Sequence, residues 1–431
     1  MNRATSHRGE RGQTILLVAV SLVAILGLSA LAIDVVTLYV SRAEAQRAAD
    51  SGALAGAQML VTAGVTADPC NAGLASAAIT LATTQAQAVA QKNNIAGAPA
   101  QTITPGFPNQ GTIGTCPGGF GINPQVSVFV QRTGLPTFFS RIWGPALGSV
   151  SATATAEAYN PSNSGTLNAS GAVIPIAPRC PKPMLLPNCD PTNGSPVCDG
   201  VHNTLVDPVT GAISRPGSGG VIGQNFAMMM QANCGNTAGC IPGSPAAGEY
   251  YPLGLPATAL HLCPGCSTSS GGFQQDLECC NASTLACGQQ ANVDYSVNPN
   301  GGGGLAATGG QCLIHQNPGG GQDSFIQDFP AIFTAGPNNP FVGTSVQAND
   351  IVMNSDSIIS IPLYDGLTVP PSGGSVTIIG YLQVFVDQVL GNGSMKVTVL
   401  NVSGCGSSPG PSTSAVQGAA TSVPVRLIQA Q

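Results

Sequence analysis

The chain has 431 residues, of which 13 are Lys or Arg and 19 are Asp or Glu, so only 7% are charged and the formal net charge is −6. An ordinary soluble domain carries about 25% charged residues. This balance excludes a nucleic-acid binder, which needs clustered Lys and Arg along a phosphate track. With 43% apolar residues, 56 Gly and 34 Pro, the composition is that of a chain working outside the cytosol, and the length allows two or three folding units.

Ile15 to Ile33 (ILLVAVSLVAILGLSALAI) is 19 residues long with polar atoms only at Ser21 and Ser29. As a helix it spans about 28 Å, close to a hydrocarbon core of roughly 30 Å. Arg3, Arg8 and Arg11 precede it, while Arg42 and Arg47 follow, diluted by Glu44 and Asp50. The bias predicts a cytoplasmic tail over 1–14, a transmembrane helix over 15–40 and the bulk of the chain on the outer, periplasmic side. A cleaved secretory signal ending at Ala30-Leu31-Ala32 is the alternative, although the apolar run is long for one. Asp34 is expected at the outer interface, where its carboxylate stays hydrated, with a functional acid inside the membrane as the alternative.

Val35 to Leu60 contains no Pro and is rich in Ala, which predicts that the anchor helix continues beyond the membrane. Ser41, Ala45 and Ala49 form one line of small residues, and Ala48, Gly52 and Gly56 another. With Gly27 in the membrane half, these are candidates for close packing of a second helix. Gly52→Ala is expected to strengthen the helix by about 1 kcal/mol and barely disturb such a face. A second helix is expected over Leu74 to Gln91, then a Pro/Gly/Asn loop to Asn123. Val126 to Val130 reads as a strand, Leu135 to Trp143 as a short amphipathic helix, and Val150 to Tyr159 as a period-two strand. Residues 41–160 thus read as a helix beyond the membrane with a small α+β unit.

From Asn160 to Gly321 turn residues dominate, including Gly301 to Gly304 and Gly319 to Gly321. Regular structure is expected to be sparse over 161–321, with cross-links replacing core burial. No cysteine occurs in the first 69 residues; the 14 that follow are Cys70, Cys116, Cys180, Cys189, Cys198, Cys234, Cys240, Cys263, Cys266, Cys279, Cys280, Cys287, Cys312 and Cys405. An even number on the outer side alone suits disulfides in an oxidising compartment. Neighbouring Cys279 and Cys280 are expected to reach different partners. Over 322–431 the runs Ser357 to Leu363, Val376 to Val386, Met395 to Val402 and Val423 to Ile428 predict an antiparallel β unit, with Asn392-Gly393 as a hairpin signal. The fold class is α+β.

The segment RGQTILLVAVSLVAILGLSALAIDVVTLYVSRAEAQRAADSGALAGA resembles the N-terminal part of TadG-like proteins of Flp (tight adherence) pilus assembly. The shared pattern is Arg-Gly before an apolar helix, Ala32 and Asp34 at its outer end, Tyr39, then Gln-Arg-Ala-Ala-Asp and Ala-Leu-Ala-Gly-Ala. VSVFVQRTGLPTFFSRIWGPALGSVSATATAEAY is similar to a second block of the same family. The resemblance implies a bitopic inner-membrane or envelope protein of pilus biogenesis without catalysis of its own, with a small pilin-like α+β unit over 41–160 and pilus-assembly or pilin-like partners packing on the N-terminal helix. Leu17 stands at the fifth position after Gly12, where prepilin-like substrates carry Glu, so prepilin-peptidase processing is not expected. No von Willebrand factor A-like metal site is read either: Asp356-Ser357-Ile358-Ile359-Ser360 has the wrong hydroxyl spacing.

Other chemistry is thin. Cys263-Pro264-Gly265-Cys266 has redox spacing but no surrounding βαβ pattern, and a structural disulfide is the expectation ahead of zinc or redox use. A zinc site would have to recruit His261, Cys279, Cys280, Cys287 or His315. Gly319 to Asp323 resembles a single calcium nonapeptide, too little for a β-roll. The reading is a non-catalytic, membrane-anchored accessory or structural protein of Flp-type pilus assembly, without cofactor, metal, small-molecule substrate or nucleic acid. A disulfide-rich adhesin or binding protein is the alternative.

Overall fold

A computed structural model gives the three-dimensional structure. It describes residues 10–111, 118–120, 123–135, 148–160, 176–178, 180–192, 198, 203–214, 220–230, 248–257, 260–261, 263, 265–266, 272–297, 299–317, 319–326, 332–344, 346–352, 355–366, 374–405, 416–417 and 423–430.

The Pro-free, Ala-rich stretch folds as one helix, α1, Glu10–Thr62. A short turn leads to α2, Ala72–Lys92, whose N-cap Asn71 accepts a hydrogen bond from the Leu74 amide, the capping expected of Asn. The stretch expected as a loop holds a small hairpin, β1 (Asn94–Ile95) and β2 (Ala98–Pro99), and a strand, β3 (Thr102–Gly106). Strands β4 (Gln125–Leu135) and β5 (Gly148–Ala158) follow as expected. The amphipathic helix expected over Leu135 to Trp143 lies, beyond Leu135 itself, outside the described residues. Val126, Val128 and Val130 of β4 and Val150, Ala152, Ala154, Ala156 and Ala158 of β5 alternate inward against the two helices.

Residues 161–321 contain more regular structure than their composition predicts. They supply β6 (Ile176–Ala177), β7 (Met184–Pro187), β8 (Asn225–Met230), β9 (Glu249–Gly254), β10 (Leu260–His261), α3 (Phe273–Glu278), β11 (Cys280–Asn281), β12 (Gln290–Val293) and α4 (Pro299–Leu313). Gly301 to Gly304 thus sit inside a helix. Burial of Ala306, Ala307, Cys312 and Leu313 overrides the poor helix propensity of glycine.

The remainder gives β13 (Ser324–Ile326), β14 (Ile332–Thr334), β15 (Ile351–Val352), β16 (Ile358–Tyr364), β17 (Ser375–Val389), β18 (Met395–Gly404), β19 (Val416–Gln417) and β20 (Val425–Ala430). Pairing runs from β16 to β17, β18, β8, β9, β7 and back to β16. Six strands therefore close into a small barrel, and β12 bridges β17 and β9 beside it. Closure removes the free edges that an open sheet would offer for aggregation. Met184, Met228, Ile361, Leu382, Val384 and Val397 share one core with Phe273 and Leu277 of α3 and Leu313 of α4.

The sequence-based boundary at residue 321 is therefore corrected: strands from both sides of it build the same barrel around a real apolar core. β20 is a second correction. It leaves the C-terminal unit and pairs antiparallel with β5, completing the sheet β20-β5-β4-β3. Arg426 holds it there through Glu157, Nε to Oε1 at 2.6 Å, with its guanidinium 4.7 Å from the Tyr159 ring centroid. The β17–β18 hairpin forms as expected, with a longer turn than a two-residue Asn-Gly loop. Val389 pairs with Met395, leaving 390–394 as the connection, with Gly393 at φ +82°.

Candidate membrane anchor and helix-packing face

α1 has two chemically different halves. From Ile15 to Ile33 nearly every side chain is exposed, and the apolar ones have no cover from the rest of the chain. The Ser21 and Ser29 hydroxyls donate to the carbonyls of Leu17 and Ile25, both at 2.8 Å, so the polar atoms of this half are satisfied within the helix, as a hydrocarbon environment requires. Among the described residues this is one helix long and apolar enough to cross a membrane. It runs unbroken through Ala30-Leu31-Ala32, where a signal would be cut.

Burial begins at Asp34, which is 3% exposed. The expectation of a hydrated interfacial carboxylate is thereby corrected: Asp34 stands on the stripe formed with Leu38, Ser41 and Ala45, which turns toward the folded unit. Tyr39, on the opposite face, is exposed, the position of an amphipathic ring at a membrane–water boundary.

Beyond Ser41 the small residues lie where close packing needs them. Ala45, Ala48 and Ala49 are fully buried, and Gly52 and Gly56 are buried with them. The helix they receive belongs to the same chain. α2 turns Ala75, Ala78, Ala82, Ala86 and Ala90 inward, all fully buried, and the sheet covers α1 from the other side. A Cβ added at Gly52 would come within 3.0 Å of the Ala86 carbonyl oxygen and of the Ala90 Cβ. One at Gly56 would come within 2.9 Å of Val126 Cγ1. Gly52→Ala therefore crowds a backbone atom, where the sequence suggested a harmless gain in helix propensity. The Ala45–Gly56 face is accordingly occupied within the chain. Gly27, with open space where its side chain would be, is the small residue left for contacts in the membrane.

Polar contacts lock this arrangement. Glu44 accepts a 2.7 Å hydrogen bond from the Ala96 amide in the β1–β2 turn, and Asn93 donates to Ser51 at 2.9 Å. A buried joint ties the helical unit to the barrel. Asn401 of β18 donates to the Val61 carbonyl at 3.1 Å and to Thr66 Oγ1 at 2.6 Å; Asn160 donates to the carbonyls of Thr66 (3.1 Å) and Val402 (2.9 Å). Asn401 thereby adds a second donor to the Val61 carbonyl at the end of α1, which also accepts from the Gly64 amide at 2.9 Å. The sequence offered a signal for the α2 face, since its alanines recur at intervals of three and four. It offered none for the joint, whose partners lie between 94 and 340 residues apart.

The described cysteines are paired. Cys180 bonds Cys280, Cys189 bonds Cys198, Cys263 bonds Cys279, Cys266 bonds Cys312 and Cys287 bonds Cys405; Cys70 is also disulfide-bonded. Cys116, Cys234 and Cys240 lie outside the described residues. Cys263 and Cys266 go to different partners, so their spacing is not that of a redox pair. Cys279, Cys280 and Cys287 have no thiolate left for zinc, and His315 Nε2 lies 2.8 Å from Asp356 Oδ2. The Asp323 carboxylate accepts from the Gly336 amide, Asn339 and Ser355, and so holds its own loop together.

A long exposed apolar helix whose distal half is sheathed by its own domain defines a single-pass membrane-anchored protein. Residues 12–59 match the family model Tad, described as "Putative Flp pilus-assembly TadE/G-like". The match covers the bare half of α1 and the Ala/Gly face up to Met59, so this segment is similar to the TadE/G-like segment of Flp pilus-assembly proteins. No curated protein and no solved structure matches the chain.

Proposed function

We propose that the chain is a non-catalytic accessory or structural protein of Flp-type pilus assembly, held in the inner membrane by α1 with residues 1–14 in the cytoplasm and the barrel in the periplasm. The observation that carries this reading is the continuity of α1. The segment matched to the pilus-assembly family is at once the anchor and the central helix of the folded unit, so the barrel stands at a fixed place above the membrane. The arginines before the apolar run support the orientation, and the disulfides support an oxidising compartment. Contacts with pilus-assembly partners then fall to the membrane half of α1 and to the outer surface of the head.

The test replaces residues 15–33 by an unrelated apolar helix of equal length in a piliated host. Loss of pili while the chain resists alkaline carbonate extraction supports a specific role for the anchor. Unchanged piliation with lost surface attachment would transfer the function to the head and favour the adhesin reading. A periplasm-active reporter fused after Gln431 should be active, and an inactive reporter would reverse the topology.

A further inference from the structure

Cys279 and Cys280 stand side by side at the end of α3, and Cys180 and Cys263 both arrive there. If the bond between neighbours is set aside, two pairings are available: Cys180 with Cys280 and Cys263 with Cys279, or the reverse. The structure holds the first. Sequence separation does not select it, because exchanging two adjacent cysteines changes each loop by one residue.

Lys182 lies two residues after Cys180 and is buried. Its Nζ donates to the Leu277 carbonyl at 2.8 Å and to the Cys279 carbonyl at 3.0 Å, while its backbone amide donates to Ser360 of β16 at 3.2 Å. One end of the residue is thus fixed to the barrel wall and the other grips the chain on either side of Glu278, immediately before Cys280. From the opposite side, the β10–β11 pairing sets His261 against Cys280 and brings Cys263 in after it. Burial pushes the Lys182 pKa down to about 8 against the pull of Asp356 and Asp276, so at neutral pH both hydrogen bonds are charge-assisted and correspondingly strong.

We propose that Lys182 is a positioning residue for oxidative folding: by gripping the carbonyls of Leu277 and Cys279 before the sulfurs react, it sets Cys180 beside Cys280 and reserves Cys279 for Cys263. Each bond then forms by ordinary exchange. Two protein thiols give up two protons and two electrons, and one disulfide oxidant takes them up as two thiols. A lysine that merely fills its site after the bonds have closed would show the same contacts and leave pairing untouched.

The experiment refolds the reduced full chain carrying Cys280→Ser in a glutathione redox buffer. Free thiols are then trapped with N-ethylmaleimide and the linked peptides mapped. Cys180 and Cys263 now compete for Cys279. With Lys182 present, Cys180 should be left alkylated over Cys263 by about tenfold, the selectivity that a hydrogen bond to a charged group supplies. Adding Lys182→Met should bring the two near parity, and Lys182→Arg should restore part of the bias. The Cys189–Cys198 and Cys287–Cys405 bonds should form as in the parent throughout. Equal alkylation in Cys280→Ser alone, an unchanged bias in Lys182→Met, or scrambling of the distant bonds as well would each overturn the proposal.

Discussion

Around α1 and α2 the contact surfaces are Ala and Gly, whereas around the barrel five disulfides among the described residues tie together connecting segments and helix ends, closing separations from 9 to 118 residues. Alanine gives up no side-chain entropy on burial, and its small size lets helix and sheet layers approach closely. That economy leaves little tolerance for added volume. The barrel has the reverse problem. Its closing strands, such as β7 and β9, are four to six residues long, and their partners lie far along the chain, so loop closure weighs heavily against them. Covalent links relieve that penalty and need no further apolar residues. A chain with 7% charge thus holds one unit together by proximity and the other by bonds.

The sharpest way to break the comparison is to remove a long-range link. Cys287 and Cys405 close a separation of 118 residues; replacing both by Ser should destabilise the barrel by about 4–5 kcal/mol on the chain-entropy model. Denaturant unfolding of the detergent-solubilised chain would read this. A loss under about 1 kcal/mol would mean that packing alone holds the barrel.

Lys182 tests the head electrostatically. Its pKa falls from an ordinary 10.5 to about 8 in the folded chain because burial disfavours the ammonium. Between those values the unfolded chain keeps a proton that the folded one has lost, so stability rises with pH across that window. Below about pH 8 both states are protonated, the slope vanishes and the burial penalty is present in full. The gain by pH 10.5 amounts to at most about 3 kcal/mol. Burial raises the Tyr250 and Tyr381 pKa values, which lowers stability at still higher pH, so the quantity to measure is the difference from Lys182→Met. That variant should lose the rise between pH 8 and 10; an identical slope would contradict the assignment.

In the helical unit the expected injury is crowding. Gly56→Leu pushes into Val126 and α2 and should destabilise the unit by about 1–3 kcal/mol, read as earlier proteolysis within residues 41–160. Asn401→Ala removes the two hydrogen bonds to the Val61 carbonyl and Thr66 Oγ1 and should weaken the joint by about 1–2 kcal/mol, splitting one thermal transition into two. Gly52→Ala should be the mildest: a helix gain of about 1 kcal/mol is set against the tight approach to the Ala86 carbonyl, for a net change near zero or slightly unfavourable.

The legible parts of the fold were those written in local periodicity. The apolar run, the Ala-rich helices, the alternation in VSATATAEA and the β-branched runs of β16 to β18 each carry their pattern within about a dozen residues. Barrel closure was illegible because β7 and β12 are too short to show a period and their partners are distant. α4 was hidden by its glycines, since tertiary burial and not propensity makes it a helix. The return of β20 to β5 was hidden because an apolar strand does not name its neighbour. At the packing face, the small residues of α1 were visible as a surface built for a helix. That the helix would be α2 depended on a turn, 63–71, that brings it back alongside.

The occupation of that face by the chain itself is the central claim, and a cysteine pair tests it most directly. A Cβ at Gly52 would lie 3.0 Å from that of Ala90, near the roughly 3.5–4.5 Å range of disulfides. Gly52→Cys combined with Ala90→Cys, oxidised in intact membranes and run without reductant, should give an internally linked monomer. Either single variant should give no linked dimer. An intermolecular product from Gly52→Cys alone, with no internal link in the pair, would show that the face is open and serves another protein.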